Sequence, residues 1–127
     1  MNIETLVQTI NDNPDPLHVD VTPSVLQLTK KGLPAARAVL DLLDAPELLT
    51  RRRAQRVLEG VVMYHHGWVA GQGYTDPDGQ QKTQDLLAAN GNYQADAAPE
   101  ARKQAIEKWR RWLKSQRQLP RRKKGEL

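Results

Sequence analysis

Residues 33 to 62 read LPAARAVLDLLDAPELLTRRRAQRVLEGVV, and this stretch decides the fold. Its apolar residues recur at helical spacing twice over. Ala36, Val39, Leu40 and Leu43 line one face of a helix that opens at Leu33-Pro34 and breaks at Asp44-Ala45-Pro46-Glu47. Ala54, Val57, Leu58, Val61, Val62 and His65 then hold a single face over three turns, while Arg52, Arg56, Glu59 and Met63 fall on the opposite side. Two amphipathic helices joined by a tight, proline-marked turn pack against each other, because neither buries its stripe alone.

Helical spacing continues outward in both directions. Ile3, Leu6, Val7 and Ile10 predict a short helix over residues 2–11, stopped by Asn11-Asp12-Asn13-Pro14-Asp15-Pro16. Residues 17–21 are too few to found a sheet. Thr22-Pro23 is a helix start, a hydroxyl cap followed by proline at the first position. The second helix buries Val25, Leu26 and Leu28 and ends at Gly32, where a left-handed cap is needed. C-terminal to the long helix, Gly67 begins an irregular loop to residue 79 that closes in an Asp76-Pro77-Asp78-Gly79 turn. A fifth helix follows over about 80–90 with Leu86 and Leu87 buried. The sixth starts near Pro99, runs to about Arg117, and buries Ala105, Ile106, Trp109, Trp112 and Leu113. The expectation is an all-α fold of about six helices. One domain spans residues 1–117, and 118–127 form a disordered basic tail with no apolar content for packing.

Composition narrows the function. The chain of 127 residues is one domain's worth. Residues 1–100 carry 8 basic and 13 acidic side chains, net −5, whereas residues 101–127 carry 11 and 2, net +9. Only the C-terminal end is basic, so a uniformly basic nucleic-acid coat is excluded. The absence of cysteine excludes a disulfide framework, cysteine-ligated zinc, an iron–sulfur cluster and a thiol nucleophile. Met1-Asn2-Ile3-Glu4-Thr5 has neither the charge nor the apolar run of a secretory signal, and no stretch approaches the ~20 apolar residues of a membrane span. A cytoplasmic location is expected.

The 33–62 stretch resembles one HEAT repeat: an apolar first helix, an acidic turn carrying Asp44, and a second helix opening with Arg51 and Arg52. Residues 2–31 resemble a weaker copy, with Asp12 in the equivalent turn and ten extra loop residues. The stretch NYQADAAPEARKQAIEKWRRWL (92–113) is similar to a tail that follows the repeats in small bacterial HEAT-like proteins, where Pro-Glu opens a helix ending in Trp-x-x-Trp. The resemblance implies a short right-handed α-solenoid stack, closed by the tryptophan-bearing helix, that binds another macromolecule. In this family that is usually protein and sometimes nucleic acid. It implies no chemistry.

Within the arginine cluster, Arg51 lies about 60° from the centre of the buried face and Arg52 about 160° from it, at about 100° per residue. Arg51 is therefore placed to bond back into the turn, to Asp44 or Asp41. Arg52, Arg53 and Arg56 are expected to project outward, as a solvated face or a partner-binding patch. On the sixth helix Lys103, Arg110, Lys114 and Arg117 share an exposed stripe flanked by Arg111, and Arg121, Arg122, Lys123 and Lys124 continue the charge. Such a stripe suits an acidic protein surface or nucleic-acid phosphates. Trp109 and Trp112, interleaved with basic residues, have the look of a stacking platform. A core this poor in aromatics, with no phenylalanine, needs them inside.

The loop residues Trp68 and Tyr74 either fold back to cover the core or serve as partner contacts, since aromatic anchors carry interface energy disproportionately. His65-His66 diverge by about 100° and lack ligands at helical spacing, so no metal is expected. Asp76-x-Asp78-Gly79 lacks the later ligands of a calcium loop. No nucleophile, paired carboxylate or cofactor motif assembles, and no small-molecule substrate is evident. The sequence thus points to a non-enzymatic module binding a partner protein, as an adaptor or an immunity-type inhibitor. A nucleic-acid binder using the basic C-terminal end is the alternative.

Overall fold

Thr22 shows how local chemistry sets the helix boundaries. Its hydroxyl accepts the Val25 N–H at 3.2 Å, capping the helix that starts at Pro23, and donates to the Ile10 carbonyl at 2.8 Å. One buried side chain thereby starts the second helix and ties off the first. The computed structural model describes residues 1–118, with side chains to Gln116. Among the described residues there are six α-helices: α1 Ile3–Gln8, α2 Pro23–Lys30, α3 Leu33–Val39, α4 Leu48–His65, α5 Gly79–Ala89 and α6 Pro99–Gln118. The protein is all-α apart from a two-residue antiparallel pair, β1 Trp68–Val69 and β2 Gly73–Tyr74.

Gly32 adopts a φ of 75°, the left-handed conformation that separates α2 from α3. After α3 the chain tightens into a 3₁₀ turn, Leu40–Asp44. Ala45 is then extended (φ −62°, ψ 153°), as the residue preceding Pro46 must be. The spine of the molecule is α4, against which α2, α3, the 3₁₀ turn and α5 all pack, while α6 lies on the 3₁₀ turn and α3. A single core runs from Leu6 through Leu58 to Leu113. No helix among the described residues is long and apolar enough to cross a membrane.

Several local expectations need correction. Leu26 is 54% exposed. On a helix of eight residues, Val25 and Leu28 occupy the inward face, and Leu26 is turned a quarter-circle away. His65 is exposed because α4 ends there, with the rings of His66 and Trp112 edge-on to it at 5.2 and 6.3 Å. Leu86 and Leu87 are half-buried, packed on the core's margin. The glycine-rich loop is an ordered hairpin in which Trp68 faces Tyr74 across the two strands. Its turn is closed by the Gln72 N–H bonding to the Val69 carbonyl, with Gly71 at a φ of 81° as a type II turn requires. The basic tail, including Arg121 and Arg122, lies outside the described residues beyond Gln118.

Candidate functional site

The four arginines at the start of α4 have three different fates. Arg53, expected to project outward, is buried at 6% exposure. Its Nε and Nη2 donate to the Val19 carbonyl at 3.0 and 2.8 Å, and its Nη1 donates to Asn11 Oδ1 at 2.9 Å. The 11–21 connection is irregular and leaves carbonyls without sheet or helix partners, so a guanidinium fork satisfies them. Arg53 is thus a structural staple and no part of an exposed patch.

Arg51 bonds into the turn, but its acceptors there are the Ala45 and Pro46 carbonyls at 2.8 and 3.0 Å, and neither Asp44 nor Asp41. Asp44 is taken instead by Arg102, at 3.2 Å, which also donates to the Ala97 carbonyl at 2.7 Å. Sequence reasoning missed Arg102, although a signal exists. A cation in the first turns of a helix opposes the dipole, so it needs anionic or carbonyl partners of its own. Tyr93 completes this region: its hydroxyl donates to the Leu43 carbonyl, and burial pushes its pKa up to about 12.

Arg52 and Arg56 remain outward. With Gln55 and Glu59 they form one bank of a polar groove of about 300 Å³, whose other walls are Asp20 and the segment 94–96. Gln55 lies between the banks, with Oε1 accepting the Ala95 N–H at 3.0 Å and Nε2 donating to the Tyr93 carbonyl at 3.3 Å. Arg56 pairs with Asp20 at 3.5 Å, a half-exposed contact of the kind that contributes little. The exposed Arg52 guanidinium has no partner among the described residues.

Trp68 and Tyr74 are not brought to this groove. They sit past the far end of α4, about 13 Å of helix axis beyond Arg56. Both are half-buried. Trp68 meets Tyr64 edge-on at 5.3 Å, and Tyr74 lies so close over Gly79 that a Cβ there would be 2.7 Å from its ring. His66 lies at the same end, its Nδ1 3.1 Å from the Thr83 hydroxyl. Burial lowers its pKa, helped by the nearby His65 and Lys82. Among the described residues, no three metal-ligating side chains converge.

On α6, Lys103, Arg110, Arg111 and Lys114 are exposed, and Arg117 continues the helix. Arg110 is shared between Asp41 at 3.8 Å and Glu107 at 3.9 Å. Trp109 is 1% exposed and meets the half-buried Trp112 edge-to-face at 5.7 Å. No protein-family model matches this chain, and no curated protein or solved structure is detectably similar to it.

Proposed function

We propose that the chain is a non-enzymatic protein-interaction module whose partner docks on the solvent-facing ridge of α4. One observation carries this reading: the Arg52 guanidinium lines a polar groove beside Arg56 and makes no ion pair among the described residues. An ionised donor fork left unpaired at a concave surface suits a carboxylate presented by a second protein. Two of the groove's carboxylates are engaged internally, Asp20 with Arg56 and Glu59 with the Gln55 amide, which favours recognition over acid–base chemistry. The packing of α2 and α3 on α4 supports the HEAT-like view, in which paired helices offer a surface and no reaction.

The test compares the wild type with the Arg52→Glu/Arg56→Glu variant, each immobilised and exposed to nuclease-treated lysate. Both side chains are exposed, so thermal midpoints should match within a few degrees. A protein retained stoichiometrically by the wild type and lost by the variant supports the proposal. Equal retention by both, or no protein retained by the wild type, removes the α4 ridge from consideration.

A further inference from the structure

We propose that α6 binds the phosphate backbone of double-stranded nucleic acid, independently of the α4 groove. At about 100° per residue, Lys103, Arg110 and Lys114 fall within about 40° of one another, and Arg111 flanks them. All four are exposed. From Lys103 to Lys114 the stripe is about 16 Å long, and a duplex presents about one phosphate per 1.7 Å of axis. Of these four, only Arg110 has a carboxylate within ion-pair distance among the described residues, and both of its contacts are long and exposed. Residues 1–100 are net acidic, at −5, so the first hundred residues give a polyanion no net attraction and the positive charge is concentrated at the α6 end of the chain.

The same face argues against other partners. Protein interfaces rely on buried apolar and aromatic anchors, yet among the described residues none of the exposed large hydrophobic side chains, such as Leu26, Tyr64 and Val69, lies on α6. A helix lying on a membrane needs apolar residues beside its cations, and those of α6, Ile106, Trp109 and Leu113, are turned into the core. Single-strand binders stack bases on aromatic rings. Trp109 is sealed and Trp112 packs against it, so α6 offers no such platform. What remains is sequence-independent contact with duplex phosphates.

The test is fluorescence anisotropy of a labelled duplex of about 20 base pairs with the full chain, between about 50 and 200 mM salt. Contacts from the four residues predict a log–log slope of about −3.6, a roughly 100-fold loss of affinity over that range. Lys103→Gln/Lys114→Gln should reduce the slope by about 1.8. Glu107→Gln should tighten binding, because Glu107 is an exposed anion within the stripe. Arg52→Glu/Arg56→Glu should leave duplex affinity unchanged, which separates this proposal from the docking ridge. No binding at the lower salt, an unaltered slope in the double lysine variant, or equal binding to polyglutamate or phosphatidylserine vesicles overturns it. A tenfold preference for single strands overturns it as well.

Discussion

The Arg51 Nε–H donates to the Ala95 carbonyl at 2.8 Å, joining residues 44 apart in the chain. One turn further along α4, Gln55 accepts the Ala95 N–H. Side chains of a helix thus do for a turn what a neighbouring strand does in a sheet, satisfying both backbone polar groups of the buried Ala95. Through Ala45 and Pro46 the same guanidinium also holds the turn between the 3₁₀ segment and α4. The approach to α6 and the groove's far wall therefore depend on Arg51, next to the freely exposed Arg52.

Arg51→Ala should accordingly cost about 1–3 kcal/mol, because it leaves the carbonyl of the buried Ala95 and the half-buried one of Ala45 without this donor. Arg51→Lys should recover less than half of that, since one ammonium does not span three carbonyls that a planar fork reaches. Arg52→Ala should stay within about 0.5 kcal/mol of the wild type. Urea denaturation of the three variants measures this. Equal costs at positions 51 and 52 would contradict the assignment.

The two tryptophans of α6 should separate in the same assay. Trp109→Ala removes a ring that is 1% exposed and should cost roughly 3–5 kcal/mol. Trp112→Ala removes a half-buried ring at the core's margin and should cost about 1–2 kcal/mol. A loss below about 1 kcal/mol at Trp109 would place that ring at the surface and revive the stacking reading.

What was legible in the sequence depended on local chemistry. Thr22-Pro23, Gly32 and the Asp44–Glu47 break each act through caps, fixed φ or left-handed backbone, so the helix boundaries followed from the residues themselves. The hairpin was not legible, because two-residue strands show no alternation. Arg53 was misplaced for a different reason. A helical wheel gives the angle at which a side chain leaves the axis but not what covers that angle, and here the irregular 11–21 connection does. The groove at Arg52 was half visible: its α4 bank follows from periodicity, whereas its far wall comes from residues some forty positions away.

Gly79 tests how the hairpin is seated. A Cβ there would stand 2.2 Å from the His66 carbonyl oxygen, a backbone atom that does not yield cheaply. Gly79→Ala should cost about 2 kcal/mol or more and perturb the near-ultraviolet circular dichroism of Trp68 and Tyr74. Gly71, in open space with a φ of 81°, should lose only about 1–2 kcal/mol on conversion to alanine, from backbone strain alone. Reversal of that order would show that turn conformation, and not the contact with α4, seats the hairpin.

His66 makes stability depend on pH in a definite direction. Burial against α5 disfavours its charged form, the proximity of His65 and Lys82 adds to this, and Asp76 opposes it, leaving the folded pKa below the ordinary 6.5. The unfolded chain therefore takes up the proton first as the solution is acidified. The contribution of His66 is complete above pH 6.5, declines as the pH falls towards the folded pKa, and levels off below it. His66→Gln keeps a side chain able to bond Thr83 but does not titrate, so the slope of unfolding free energy between pH 7 and 5 should be shallower than in the wild type. A proton NMR titration should place the His66 midpoint below 6.5. If its ring instead titrates above 6.5, or if acidification through this range stabilises the wild type relative to His66→Gln, then the neighbouring Asp76 outweighs burial and the sign is reversed.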